Sequence, residues 1–147
     1  MKTETRYITN YYYSWRRYLR SVLASSVIYY NPVGRPKAPD GTDQWLIFLI
    51  GQYIPKLFTR PVSTIHCVCR DDDDGQNMMD LLNDVLNVID NPQGNQRDFV
   101  LYDKTTASAI GTIDIESVTV NPQQEYDTGI NSISISIHCR LKTNRKM

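Results

Sequence analysis

Histidine lies next to cysteine at two places in the sequence, and both side chains are common zinc ligands. His66 precedes Cys67, with Cys69 two positions further on, and His138 precedes Cys139. Because side chains alternate between the two faces of a strand, Cys67 and Cys69 share one face while each histidine lies on the opposite face from its cysteine. A tetrahedral site cannot easily take ligands from both faces of one sheet. We therefore expect free buried thiols, no metal site and no cofactor. If the two strands are neighbours, the two histidines could also meet on the outer face.

Four consecutive aspartates precede a glycine in the middle of the sequence. They are Asp71, Asp72, Asp73 and Asp74. Placing Gly75 at the sixth position of a calcium-binding loop puts Arg70 first and Leu81 twelfth, where carboxylates are needed, so the calcium interpretation fails. Weak attraction of a cation stays open. Negative charge just before a helical pattern stabilises a helix N-terminus, and we predict a solvated turn that caps a helix.

Aromatic and basic residues are mixed near the start of the chain. They are Tyr11, Tyr12 and Tyr13 with Arg16, Arg17 and Arg20. This composition occurs on surfaces that bind single-stranded nucleic acid, but part of this aromatic set also fits the buried stripe of a helix. The sequence contains no glycine-rich phosphate loop, nucleophile elbow or HExxH motif. It therefore favours a protein that is not an enzyme and does not bind nucleic acid specifically.

Two amphipathic helices are predicted by the spacing of apolar residues. The first covers residues 8–23, with Thr9 or Asn10 as its cap. Its apolar stripe consists of Ile8, Tyr12, Trp15, Leu19 and Val22. The second runs from Met78 to Ile89 and is stopped by a segment rich in Asn, Pro and Gly. Its apolar positions are Met78, Leu81, Leu82, Val85 and Ile89.

The remaining chain reads as strands joined by loops. The segments 45–50 and 62–70 predict an antiparallel ribbon, and the first is apolar at every position, which suits a strand covered on both faces. Residues 133–141 alternate apolar and polar side chains, which is typical of a half-buried strand. In the segment 110–120, the apolar side chains occupy odd positions from Ile113 to Ile115 and even positions from Val118. This change of position along one strand predicts a bulge. Shorter strands are expected at 27–30 and 99–102.

These elements predict an α+β fold: a mostly antiparallel sheet with a long β-ribbon, packed by two α-helices. The chain has 147 residues, 41% of them hydrophobic, so we expect one domain over 1–147 with a frayed tail at 143–147. The 16 Lys and Arg balance 16 Asp and Glu, which argues against a dedicated polyanion binder. The sequence shows no secretory signal pattern and no apolar run of about 18 residues, so we expect an intracellular protein outside the membrane.

Charge is unevenly distributed along the chain. Residues 1–40 contain seven Lys or Arg against two Asp or Glu, whereas residues 41–103 contain four against ten. Identical subunits could use such polarity to bind head to tail, although an ordinary mixed surface would also account for it.

The order of elements resembles the tail terminator (tail completion) proteins of tailed bacteriophages, of the lambda minor tail protein U type. The likeness rests on an N-terminal helix and long loop, the ribbon 44–50 with 62–70, the acidic turn, the helix 78–89 and closing strands that end at 133–141. It covers nearly the whole chain and depends on architecture and size, because the family has no short diagnostic motif.

The resemblance implies a structural role in the virion. Such proteins form a hexameric ring on the end of the tail tube, stop tube polymerisation and provide the surface that joins tail to head. The implied partners are further copies of the chain, the tail tube protein and a neck or head-completion protein. Genome DNA passes through the lumen without sequence-specific binding. The implied location is the neck region of the virion, after assembly in the host cytoplasm.

Two sets of residues are candidates for contacts in such a ring. The loop 51–61 carries large apolar side chains beside cations: Tyr53, Ile54, Lys56, Leu57, Phe58 and Arg60. We hypothesise that this loop contacts a neighbouring subunit or the tail tube, the alternative being that it packs on the protein's own helices. The second set contains charged ring-contact or lumen residues: Arg16, Arg17, Arg20, Asp71, Asp72, Asp73 and Asp74.

Other functions stay open at this level. One is a different neck or head-tail connector subunit. Another is a small α+β enzyme or ligand-binding domain whose site is assembled from scattered residues.

Overall fold

The computed structural model describes residues 6–31, 41–51, 59–90 and 97–143, and it has the predicted α+β fold. Its elements in chain order are α1 (Tyr7–Val22), β1 (Ile28–Tyr30), β2 (Gln44–Ile50), β3 (Val62–Arg70), α2 (Gln76–Ile89), β4 (Arg97–Tyr102), β5 (Ala109–Val120), β6 (Gln124–Asp127) and β7 (Ile130–Thr143). The strand β6 was not predicted. Thr143 lies within β7, which corrects the predicted start of the frayed tail, and residues 144–147 lie outside the described ranges.

The strands form one mixed sheet in the order β1-β2-β3-β7-β5-β4, with β6 paired to β7. All pairs are antiparallel except β1 with β2, which run parallel. The predicted ribbon is β2 with β3, in a register that places Leu46 opposite Cys67. The predicted bulge is confirmed, because the register of β5 on β7 shifts between Ile115 and Ser117.

The two helices share one core with one face of the sheet. On β7 the odd positions from Ile133 to Leu141 are buried, as the alternation predicted. On α2 the predicted positions Met78, Leu81, Val85 and Ile89 are also buried. The opposite face of the sheet holds a second buried cluster of Trp45, Ile47 and Val68. The prediction that β2 is covered on both faces is therefore confirmed.

The predicted stripe of α1 is partly wrong. Ile8 and Val22 are each 38% exposed, whereas Tyr11, Trp15 and Leu19 are buried together with the polar Asn10 and Ser14. The helix is rotated because its polar side chains bind the backbone at the end of β4. The Ser14 hydroxyl accepts from Tyr102 N at 2.8 Å, and Asn10 Oδ1 accepts from Lys104 N at 3.0 Å. Neither Thr9 nor Asn10 is the cap, since α1 follows Arg6.

The sheet curls around α1. The Trp15 ring lies 5.3 Å from the ring of Phe48 on β2 and 4.8 Å from the ring of Phe99 on β4, measured between centroids. These strands are four places apart in the sheet order, which corresponds to about 19 Å in a flat sheet. One indole can contact both only because the two ends of the sheet bend towards the helix. This curl brings the edge strands β1 and β4 to opposite sides of α1.

Candidate functional site

The loop candidates are described only at their C-terminal end. Tyr53, Ile54, Lys56, Leu57 and Phe58 lie outside the described residues, so their hypothesis stays a prediction. Arg60 is exposed, and its Nη1 lies 3.0 Å from Glu116 Oε1. Glu116 is the extra residue at the β5 bulge.

The base of this loop is fixed to the sheet. The carbonyl of Thr59 accepts from Leu141 N at 2.8 Å, and that of Pro61 accepts from Cys139 N at 3.0 Å. The segment 59–61, which precedes β3, is therefore already hydrogen-bonded to β7 before β3 begins. Arg60 lies between these two anchoring points, on an ordered backbone.

The three predicted arginines of α1 are brought together with tyrosines from three different elements. The Arg17 guanidinium carbon lies 3.8 Å from the Tyr102 ring centroid. Measured between the same two points, Arg16 lies 5.5 Å from the Tyr12 ring and 5.4 Å from the Tyr30 ring. Arg20 lies 5.5 Å from the Tyr30 ring. We call this surface the cationic seam. It consists of Arg16, Arg17, Arg20, Tyr12, Tyr30 and Tyr102.

The cationic seam spans the two edges of the curled sheet. Tyr30 ends β1 and Tyr102 ends β4, and α1 lies between them. Arg17 and Arg20 are exposed and Arg16 is half-buried. Such cation–π contacts hold a guanidinium against a ring without neutralising its charge. Sequence reasoning missed Tyr30 and Tyr102, because both are distant from α1 along the chain and only the sheet topology places them there.

Within the described ranges, no ion pair joins the seam arginines to a carboxylate. The ion pairs found there are Arg60 with Glu116, Arg70 with Asp43 and Lys142 with Asp114. The helix α1 itself contains no Asp or Glu. No described carboxylate of the same chain therefore lies within ion-pairing distance of the seam arginines.

A groove of about 330 Å³ lies between α1 and the edge strand β4, beside Arg17. It is lined by Ser14, Arg17, Tyr18, Ser21, Phe99, Val100 and Tyr102. The Ser14 hydroxyl already donates to Asn10 O at 2.7 Å and accepts from Tyr102 N. Burial raises the pKa of Tyr18, partly opposed by Arg97, and its hydroxyl donates to Val88 O. The exposed polar groups that remain in the groove are Arg17 and Ser21.

The aspartate run caps α2, as predicted. Asp72 Oδ1 accepts from Asn77 N at 3.1 Å and its Oδ2 accepts from Met78 N at 2.9 Å, while Asp74 Oδ1 accepts from Gln76 N at 3.0 Å. Gly75 adopts φ of 76°, in the left-handed region that glycine tolerates best. No Lys or Arg occurs from Asp71 to Asp90. We call Asp71, Asp72, Asp73, Asp74 and Asp80 the acidic face.

The cysteines and histidines lie as the strand parity predicted, on opposite faces. Cys67, Cys69 and Cys139 are free and buried. His66 is half-buried on the other face, and burial lowers its pKa. His66 pairs with Ser134 whereas His138 pairs with Val62, so the histidines lie four positions apart along the ladder and do not meet. In the described part of the chain, no three His, Cys, Asp or Glu side chains are arranged to hold a metal ion.

An ion pair between a buried aspartate and an exposed lysine on the outer face was not predicted. Asp114 is 3% exposed, and its Oδ2 lies 2.6 Å from Lys142 Nζ. Asp114 lies between Ile113 and Ile115, whose side chains face the core, so strand alternation places the carboxylate on the outer face, and the sequence offers no sign that β5 and β7 are neighbours. Only the pairing of these two strands identifies Lys142 as its partner.

No protein-family model matches the chain, and no curated protein matches it in sequence. A solved structure of similar length shares the fold, with a TM-score of 0.59 at 8% sequence identity. The alignment covers 99% of this chain and 100% of that one. At this identity the likeness supports the fold alone. None of the described helices is long and apolar enough to span a membrane.

Proposed function

We propose that this protein is a non-enzymatic structural component of a phage virion that forms a ring at the end of the tail tube. The ring stops tube polymerisation and provides the surface that a neck or head-completion protein binds. Its partners are further copies of the same chain, most simply six in the ring, and the tail tube protein. Genome DNA passes through the lumen without sequence-specific contacts.

The observation that carries the proposal is the separation of charge between the two helices of one layer. α1 exposes arginines and contains no acid, whereas α2 and the turn before it contain aspartates and no base. Two different complementary patches on one subunit favour head-to-tail contacts, and such contacts close into rings when the rotation between subunits allows it. The resemblance of the element order to tail terminators supplies the biological setting.

A small ligand-binding domain is the second candidate, favoured by the groove beside Arg17. An exposed guanidinium next to aromatic rings suits a small anion with an apolar part. The groove is open at the sheet edge and offers few convergent polar groups, so we place this function second.

The test is the mass of the purified protein by light scattering at several concentrations, followed by electron microscopy of the same sample. We expect a ring in solution or on added tail tubes, and tubes that stop growing once the protein is bound. A protein that is monomeric at every concentration and does not bind tail tubes would refute the proposal. A monomer that binds small anions stoichiometrically would favour the ligand-binding alternative.

A further inference from the structure

We infer that the cationic seam of one copy docks on the acidic face of a second copy of this chain. The inference rests on the proposed function and names the two surfaces by which the ring closes. Because two different patches meet, the same contact repeats from each subunit to the next.

The seam is arranged to receive carboxylates. The Arg17 guanidinium carbon lies over the Tyr102 ring, 3.8 Å from its centroid. A planar guanidinium held against a ring can still donate bidentate hydrogen bonds to a carboxylate. The supporting rings of Tyr30 and Tyr102 belong to strands of the sheet, so the arginines are held before binding. Side chains that are already ordered lose less conformational entropy when a partner docks.

The acidic face lies away from the seam of its own chain. The Tyr18 hydroxyl donates to Val88 O, which places α1 beside the C-terminal end of α2. Asp80 precedes Val88 by eight residues, or about 12 Å along the helix axis, and the aspartate turn lies further still. The seam arginines form no ion pair with a described carboxylate of their own chain. Contact between the two surfaces therefore requires a second molecule.

Charge complementarity favours a second copy over a nucleic acid as the occupant of the seam. The acidic face has no Lys or Arg from Asp71 to Asp90, so its charge is opposite in sign to that of the seam. A dedicated nucleic-acid binder would carry a strong excess of cations, whereas this chain as a whole has 16 cations against 16 anions. The protein carries both halves of the contact on its own surface.

The experiment uses two variants of the full chain, each of which reverses the charge of one of the two surfaces. The first variant reverses the seam with Arg17→Glu and Arg20→Glu, and the second reverses the acidic face with Asp73→Arg and Asp80→Arg. Asp72 and Asp74 are kept because they cap α2. The matched control for the seam variant carries Arg6→Glu and Lys104→Glu, which change the net charge by the same amount at exposed cations outside the seam. Circular dichroism establishes that each variant is folded, and light scattering measures assembly.

We expect each reversed variant to assemble on the order of 100-fold more weakly than the wild type, because like charges then face each other. The control should assemble normally. An equal mixture of the two reversed variants should regain the ring, since each supplies the surface that complements the other. Normal assembly of either reversed variant, or no rescue in the mixture, overturns the inference while the proposed function survives in the wild-type ring. A wild type that never assembles overturns both.

Discussion

At the scale of single residues, burial determines the chemistry of the three cysteines. Burial raises the pKa of Cys67 and Cys139 to about 12 and that of Cys69 to about 11. Nearby Asp72 and Asp43 add to the shift at Cys69. The thiolate is the reactive form of cysteine, so these thiols are inert at neutral pH. In this fold they act as small apolar side chains of the core.

We predict that the native protein does not react with a thiol-specific reagent at pH 8, whereas all three thiols react once it is unfolded. The folded pKa values lie above the unfolded value of about 8.5, so the thiols contribute stability that is complete below that pH. This stability is lost as pH rises towards 11 and 12. Urea unfolding at pH 7 and pH 10 measures the loss, and Cys67→Ala should make it smaller. Rapid labelling of the native protein would contradict the prediction.

At the scale of elements, the start of α2 depends on one aspartate more than on the run as a whole. Asp72 is half-buried and binds two backbone N–H groups of the first turn, whereas Asp73 is exposed. Charge-assisted bonds to the free N–H groups of a helix satisfy donors that have no partner inside the helix. The sequence predicted a cap in this run but did not distinguish its four members.

We predict that Asp72→Ala lowers the free energy of unfolding by about 1–2 kcal/mol, because two N–H groups of α2 lose their acceptor. Asp73→Ala is the matched control and should change it by less than about 0.5 kcal/mol. Urea titration followed by circular dichroism measures both. Equal effects of the two substitutions would show that general charge near the N-terminus, and not the two bonds, stabilises the helix.

At the scale of the whole molecule, Trp15 holds the curled sheet closed. Its ring packs against Phe48 near one edge of the sheet and Phe99 at the other. The same curl brings Tyr30 and Tyr102 to the two sides of α1, where they support the arginines. The cationic seam therefore depends on a side chain that does not belong to it.

We predict that Trp15→Ala lowers the free energy of unfolding by about 3–5 kcal/mol, as expected when a large aromatic side chain is removed from a core. Amide exchange should accelerate in both β2 and β4, because both lose the shared contact. Val22→Ala on the same helix, where Val22 is 38% exposed, should change stability by less than about 0.5 kcal/mol. Faster exchange in β4 alone would mean that Trp15 does not join the two ends of the sheet.

Local periodicity in the sequence determined the helices, the ribbon, the half-buried β7 and the bulge in β5. The predictions for α2, the ribbon and β7 succeeded because the spacing of apolar residues records which side of an element is buried. For α1 the same spacing located the helix but not its buried side. The placement of Cys67 away from His66 followed from the same alternation of side chains. The aspartate cap was predictable because an anion before a helical pattern has a local electrostatic reason.

Only the tertiary structure decided the rotation of α1, the parallel pairing of β1, the Asp114–Lys142 ion pair and the assembly of the cationic seam. The apolar spacing of α1 allowed Ile8 and Val22 to be buried, but bonds from Asn10 and Ser14 to the end of β4 turn the helix away from that stripe. Tyr30 and Tyr102 reach the arginines through the order and curl of the strands. These features depend on contacts between distant segments, whose packing energy is set by the folded chain and has no local pattern in the sequence.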